Sequence, residues 1–284
     1  MTAKEIFDST IKEIEPLYGN DEARSIAFSL LEHIGIMKTA VLAHQPMETD
    51  TSILQKWIER LKKYEPLQYI LGETSFYKRT FRVNSSVLIP RPETEELMEW
   101  IIRDFGSVEE DFSEKPAVTI MDIGTGSACI AVTLAKEIAE SEVFAMDISE
   151  EALKIAKENA LRNNANISFL KQDILHDFIF QTPLDIVVSN PPYVTENEKS
   201  AMQANVLNYE PHLALFVPNE KPQLFYQRIA TFAKKYLKPT GVCYLELNAN
   251  LAHQTAELFD KEGFTEIIIK KDLSGNNRML RAAL

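Results

Sequence analysis

The stretch VTIMDIGTGSACIAVTLA, Val118–Ala135, decides the fold. It opens as an apolar run of strand length. From Ser127 onward the apolar residues return with helical spacing. Gly124 and Gly126 fall between. Glycines at a strand-to-helix turn let the backbone turn tightly and let a ligand approach it. The same alternation continues downstream. EVFAMD (142–147), ISFLK (167–171) and DIVVS (185–189) read as strands, and SEEALKIAKENALRNN (149–164) reads as a helix with Ser149 at its N-cap. A helix over 223–237 leads to the strand GVCYLEL, a helix over 251–263, and then FTEIIIK and RMLRAAL. Strands alternating with helices of this length imply an α/β fold, a parallel sheet covered on both faces. The last two runs have no helix between them, so an antiparallel pair is expected at one edge.

Upstream the period differs. Residues 1–72 show helical spacing and no strand. EARSIAFSLLEHI places Ile26, Leu30, Leu31 and Ile34 on one stripe. SILQKWIERLKKY does so with Ile53, Trp57, Leu61 and Tyr64, and Asp50 or Thr51 caps it. Trp57 reads as core. SFYKRTFRVNSSVLIP (75–90), with Asn84-Ser85-Ser86 inside it, reads as a hairpin or two short strands. Pro90 and Pro92 exclude helix there, and Thr94 opens the next one with Glu95 and Glu96 in its first turn. GSVEEDFSEKP (106–116) reads as a charged loop. The chain thus divides into a helical domain (1–72), a β-hairpin linker (73–92) and an α/β domain (93–284).

The chain has 284 residues, 45% hydrophobic and 25% charged, an ordinary globular composition. The N-terminus lacks an apolar signal-peptide core, and no apolar run approaches the ~18 residues of a membrane span. A soluble cytoplasmic chain with no membrane partner is expected. Cys129 and Cys243 sit in apolar runs and read as buried thiols; no metal site is expected. The net charge is −12, and the basic clusters RLKK and AKKYLK are short. Direct nucleic-acid binding is therefore not expected.

Asp147 ends the second strand, about twenty residues past the glycine turn, where a carboxylate can accept from both ribose hydroxyls. A dinucleotide fingerprint would place a third glycine where Cys129 stands. Asp122 would repel a pyrophosphate but suits a ligand carrying an ammonium and a sulfonium. S-adenosylmethionine is such a ligand. A nicotinamide-dependent oxidoreductase and a non-catalytic binding protein are the competing readings. Asp173, after the third strand, stands where it could accept from an adenine amino group, or it is a solvated loop acid.

Asn190-Pro191-Pro192-Tyr193 ends the fourth strand at the ligand-binding crest. The Asn190 side chain offers an acceptor. The prolines fix φ and leave carbonyls free. Tyr193 offers a flat aromatic face. A planar –NH2 fits this cluster, donating to the Asn190 oxygen and the Pro191 carbonyl. A carboxamide and an adenine amino group both qualify, so an adenine-N6 methyltransferase is an alternative.

Three blocks carry a resemblance. They are EPLQYILGETSFYKRTFRVNSSVLIPRPETEELME (Glu65–Glu99), MDIGTGSACIAVTLA with AMDIS, and DIVVSNPPYVTENE running on to VLNYEPHLALFVPNEKPQLFYQRIA. The tail DLSGNNRMLRA also fits. The sequence resembles the glutamine N5-methyltransferases that modify peptide chain release factors. The resemblance implies a Rossmann-like class I methyltransferase domain with a seven-stranded sheet, behind a helical N-terminal domain that helps hold the substrate. It implies S-adenosyl-L-methionine as cofactor and class 1 release factors as partners. Gly124, Thr125, Gly126, Ser127 and Ala128 would wrap the methionine end and Asp147 would take the ribose. Asp173 and Ile174 would border the adenine. Asn190, Pro191, Pro192 and Tyr193 would hold the glutamine amide, with Asn190 reaching the cofactor as well. IPRPET would pack beside the site, with Arg91 and Glu93 either organising it or forming an ion pair of the domain linker. Ala128 replaces a glycine common in that family, and a modest loop adjustment is expected.

Overall fold

The computed structural model describes residues 1–48, 50–106 and 117–284; the charged loop expected over 106–116 lies outside them except for Gly106. The chain forms two compact units.

The first unit comprises Met1–Glu73 and Gln203–Tyr209. It contains α1 (Ala3–His33), α2 (Lys38–Leu42), α3 (Ser52–Leu61), α4 (Leu67–Leu71) and, from the later segment, α8 (Ala204–Tyr209). Thr2 and Glu5 cap α1 reciprocally, and Gly19 (φ 74°, ψ 168°) breaks it shortly after Pro16. Ile26, Leu30 and Leu31 are buried with Phe7, Ile11 and Ile14. The buried face of α3 is Leu54, Trp57, Ile58 and Leu61: Trp57 and Leu61 are buried as expected, while Leu54 and Ile58 stand in place of Ile53 and Tyr64. Ile53 and Tyr64 are each 42% exposed. The helix stops at Leu61, so Tyr64, at φ 61°, lies beyond it and cannot extend its stripe. Thr51 takes the N-cap position without a side-chain bond, while Asp50 Oδ1 accepts from Ser52 N at 2.8 Å.

The second unit comprises Thr74–Met202 and Glu210–Leu284. It begins with a hairpin, β1 (Glu73–Phe76) and β2 (Arg79–Arg82). Tyr77 and Lys78 both hold positive φ, as a two-residue hairpin turn requires. Asn84–Ser86 forms a separate turn, with Asn84 Oδ1 accepting from Ser86 N at 2.9 Å. Helix α5 (Pro92–Phe105) starts two residues before Thr94. Pro92 fits its first position because no hydrogen bond is demanded of that nitrogen and its fixed φ suits a helix.

The remaining elements are β3 (Val118–Ile123), α6 (Cys129–Glu137), β4 (Ser141–Asp147), α7 (Glu150–Arg162), β5 (Ile167–Lys171), β6 (Leu184–Ser189), β7 (Val194–Thr195), β8 (Phe216–Val217), α9 (Leu224–Tyr236), β9 (Leu237–Glu246), α10 (Ala252–Glu262), β10 (Glu266–Lys271) and β11 (Asn277–Ala283). Seven strands form one sheet in the order β10-β11-β9-β6-β3-β4-β5. Only β11 runs against its neighbours. Successive strand residues point to opposite faces, and the two faces carry separate cores. Ile120, Ile186, Val188 and Tyr244 join Leu97, Ile101 and Ile130 on one side. Met121, Val187, Cys243 and Leu245 join Tyr226, Ile229 and Phe259 on the other.

Candidate active site

From β3 the chain builds β4 and β5 to one side, then β6, β9, β11 and β10 to the other. Open α/β sheets bind ligands over the carboxyl ends of their strands at such a reversal. A cavity of about 360 Å³ opens there. Gly124, Thr125, Gly126, Ser127, Asp147, Asp173, Ile174, Asn190, Pro191 and Pro192 all line it. Ala128 and Tyr193, the two other residues expected in the site, stand outside its wall.

The glycine turn is held from beneath. Gly124 N and Thr125 N both donate to Met146 O at 2.9 Å. Gly126 N donates to Asp147 Oδ2, and Ser149 N to Asp147 Oδ1, each at 2.9 Å. One carboxylate thus ties the turn to the start of α7, where Ser149 Oγ also accepts from Ala152 N at 3.1 Å. Burial raises the Asp147 carboxyl above its ordinary range, against these backbone bonds. Gly124 and Gly126 hold positive φ, and no atom lies within 4 Å of where a Cβ would stand at either. The backbone there is open for close approach. Ala128 also holds φ 61° and is fully buried at the start of α6. That angle is the physical reason a glycine suits the position.

Asp122 does not open to the cavity. It is fully buried, its Oδ2 accepts from Thr125 Oγ1 at 2.6 Å, and its Oδ1 has no hydrogen-bond partner. Burial pushes it up to about 7, against the Thr125 hydroxyl. Asp122 therefore braces Thr125, and any pull it exerts on a cationic ligand acts through space. Asp173 folds back on its own loop. Its Oδ1 accepts from Leu175 N at 2.9 Å and its Oδ2 lies 2.8 Å from His176 Nδ1. Ile174, Leu175 and Ile148 give the cavity an apolar wall.

At the tip of β6, Asn190 Nδ2 donates to Thr94 Oγ1 at 3.3 Å. Thr94 Oγ1 donates to Glu246 Oε2 at 2.6 Å. Tyr193 Oη donates to Glu246 Oε1 at 3.0 Å, and Asn248 Nδ2 donates to Tyr193 O at 3.1 Å. These bonds explain why the Tyr193 ring is not a cavity floor. Its phenol needs a buried acceptor, finds Glu246 at the end of β9, and the ring packs against the α9 face of the core. Burial, with Glu246 beside it, pushes the phenol well above its ordinary value and keeps it a donor.

Three further residues shape the site without having stood out as functional in sequence. Glu246 follows the apolar run 242–245 at the end of β9, which is its one signal in the sequence. Buried Asn159, on the Ala152–Ala156 stripe of α7, accepts from Arg82 N at 2.6 Å and donates to Arg82 O and Ser127 O, each at 2.9 Å. It joins the hairpin to the glycine turn. Glu210 pairs with Arg91 Nη2 at 2.5 Å and accepts from Ile89 N at 3.1 Å. Arg91, with Pro90 and Thr94, lines the cavity; Glu93 does not.

Residues 9–72 match the family model described as the PrmC N-terminal domain, and residues 107–213 match the methyltransferase small domain. The chain is 41% identical over 275 residues to the release factor glutamine methyltransferase of Flavobacterium psychrophilum, covering 95% of each chain. It is 45% identical over 230 residues to that of Bacteroides thetaiotaomicron, covering 81% of this chain and 80% of the other. For that of Streptococcus pneumoniae the identity is 38% over 273 residues, 94% of each. Among solved structures, a methyltransferase from Pyrococcus furiosus superposes with TM-score 0.50 at 19% identity over 73% of this chain and 90% of that one. The 16S rRNA N2 G1207 methyltransferase of T. thermophilus, in complex with AdoMet and guanosine, gives 0.52 at 16% identity over 74% and 49%. The two superpositions show a shared fold.

Proposed function

The chain belongs to the release factor glutamine methyltransferase family, and from that premise we propose its reaction. It transfers a methyl group from S-adenosyl-L-methionine to the side-chain amide nitrogen (N5) of the glutamine in the Gly-Gly-Gln motif of class 1 peptide chain release factors. The observation that carries this reading is that Asn190 and Pro191 share one cavity with the glycine turn and Asp147.

The residues present fit the cofactor. Open space beside Gly124 and Gly126 admits a chain against the backbone, and Thr125 and Ser127 complete that cradle. Asp147 spends one lone pair of each oxygen on the turn, leaving acceptor capacity for ribose hydroxyls. Ile174 and the backbone beside Asp173 border the adenine. When bound, S-adenosyl-L-methionine supplies an electrophilic methyl carbon on a sulfonium. The chain's own part is to prepare the nitrogen. An amide nitrogen is a weak nucleophile because its lone pair is delocalised. Asn190 Oδ1 and the Pro191 carbonyl accept hydrogen bonds from its two hydrogens, draw electron density onto it and fix which face it presents; the nitrogen, made acidic once it carries the methyl, releases one proton to solvent. Pro191 and Pro192 hold those oxygens still. Tyr193 acts from behind the loop, through Glu246.

Residues 1–72 serve recognition of the release factor, the reaction belongs to the cytoplasm, and no direct contact with nucleic acid is needed. The test is incubation with methyl-labelled cofactor and a purified release factor, followed by mapping of the label. Label on the glutamine of Gly-Gly-Gln is expected. An unlabelled release factor, with cofactor bound to the enzyme, would defeat the reading, and label on added DNA or RNA would replace it.

A further inference from the structure

A carboxamide is nearly symmetric in shape but not in chemistry. Turning it over exchanges a donor for an acceptor at almost no steric cost, so packing alone cannot fix it. The hydrogen-bond chain behind Asn190 does fix it. Glu246 Oε2 stands 2.6 Å from Thr94 Oγ1. Burial raises the Glu246 carboxyl above its ordinary range, opposed by the hydrogen bonds from Thr94 and Tyr193 and by the Arg278 charge. In the ionised form that these donors and Arg278 favour, its oxygens only accept, so the single Thr94 hydroxyl hydrogen is committed to Glu246. Thr94 can then offer Asn190 nothing but a lone pair, at 3.3 Å. The Asn190 atom facing it must be the –NH2, which turns Oδ1 away from Thr94. The other Glu246 oxygen takes the Tyr193 phenol at 3.0 Å, so one buried carboxylate anchors both ends of Asn190–Tyr193.

We propose that Thr94 and Glu246 are positioning residues that lock the Asn190 carboxamide with its oxygen toward the cavity, so that the site accepts an –NH2 and turns away a carbonyl. Thr94 and Glu246 lie 152 residues apart, on α5 and β9. Their relay makes the amide orientation a property of the fold rather than of the Asn-Pro-Pro-Tyr segment. The catalytic consequence rests on the glutamine reading above; the orientation itself does not.

The test compares Thr94→Val, Thr94→Ser and Glu246→Gln with the wild type. Valine keeps the shape and removes the acceptor, so kcat on release factor is expected to fall ~10-fold or more, with KM and cofactor affinity within ~2-fold. Serine restores the hydroxyl and is expected to bring kcat back to within ~3-fold of wild type. The Tyr193 phenol, a donor, keeps the glutamine oxygen on its own side, so the amide –NH2 faces Thr94 and releases the Thr94 hydrogen toward Asn190; Glu246→Gln should therefore lose kcat like Thr94→Val. If Thr94→Val does not melt cooperatively, Glu246→Gln decides. Unchanged kcat in these variants, or equal loss in Thr94→Ser and Thr94→Val, overturns the proposal. A second readout needs no transfer. In the cofactor-free protein, NMR should show the Asn190 side-chain –NH2 exchanging with solvent ~10-fold faster in Thr94→Val than in wild type. Equal rates overturn the lock, whatever the substrate is. A wild type that fails to label release factor while showing the protected amide would sink the functional reading and leave the lock standing.

Discussion

Ala128 pays for its place with a left-handed backbone, φ 61°, ψ 24°. That conformation costs a non-glycine residue ~1–2 kcal/mol. Ala128→Gly should therefore match or exceed wild-type stability, while the β-branched Ala128→Val should lose ~2 kcal/mol or more, read from urea midpoints. Asp122 makes a pH prediction. Its ordinary value is 3.8 and burial carries it to about 7 in the folded chain. Between those values the folded state keeps a proton that the unfolded state has released, so this group's contribution weakens stability as pH rises through that window. Asp122→Asn should flatten the decline between pH 5 and 7 by up to ~1.4 kcal/mol per unit, measured as the wild-type-minus-variant difference. Asn190→Ala should leave cofactor affinity nearly intact and cut turnover by ~10²-fold or more, measured by calorimetry beside single-turnover kinetics. At this scale the sequence is most legible where residue type alone carries the chemistry. Gly124, Gly126, Asp147 and Asn190 line the cavity, as expected of a glycine turn and of polar residues at strand tips. The aim of a side chain was not legible. Asp173 spends both oxygens on its own loop, and Tyr193 answers to a carboxylate 53 residues away.

Periodicity marks out the elements, and periodicity is local. The β/α alternation and the Ser149 cap needed only neighbours in the chain. The flanks of the α3 stripe, Ile53 and Tyr64, and the hairpin turn did not yield, because each depends on where an element stops. Tyr77-Lys78 carries no glycine or asparagine to announce a turn, yet both residues hold positive φ. Between elements, Asn159 is the joint to probe. Replacing it with alanine strands Arg82 N, Arg82 O and Ser127 O together. A loss of ~3 kcal/mol is expected in urea titrations, since a buried group without its partner costs ~1–3 kcal/mol. Cofactor affinity should fall with it, because Ser127 belongs to the cradle wall.

The whole molecule is two units with separate cores, and the chain crosses between them at 73/74, 202/203 and 209/210. The last two crossings have no signature in composition, and only the packing of ANVLNY (204–209) assigns it. Leu30→Ala tests the division. Leu30 is fully buried in the first unit, so the change should cost that unit ~2–5 kcal/mol. Limited proteolysis should then cut both within 1–73 and at 203–209, while cofactor affinity, for which the proposed site lies wholly in the second unit, stays within ~2-fold. Cleavage confined to 1–73 would show that α8 does not depend on the helices it is grouped with. Tyr209 Oη, donating to Lys63 O at 2.8 Å, is one stitch of that grouping. The interruption also bears on how such chains can be recombined. A hybrid that borrows its first 73 residues from a relative inherits a mismatched patch unless it borrows the seven-residue insert too. Swaps made at the obvious seam alone should yield poorly behaved protein, and grafting 203–209 alongside should rescue it.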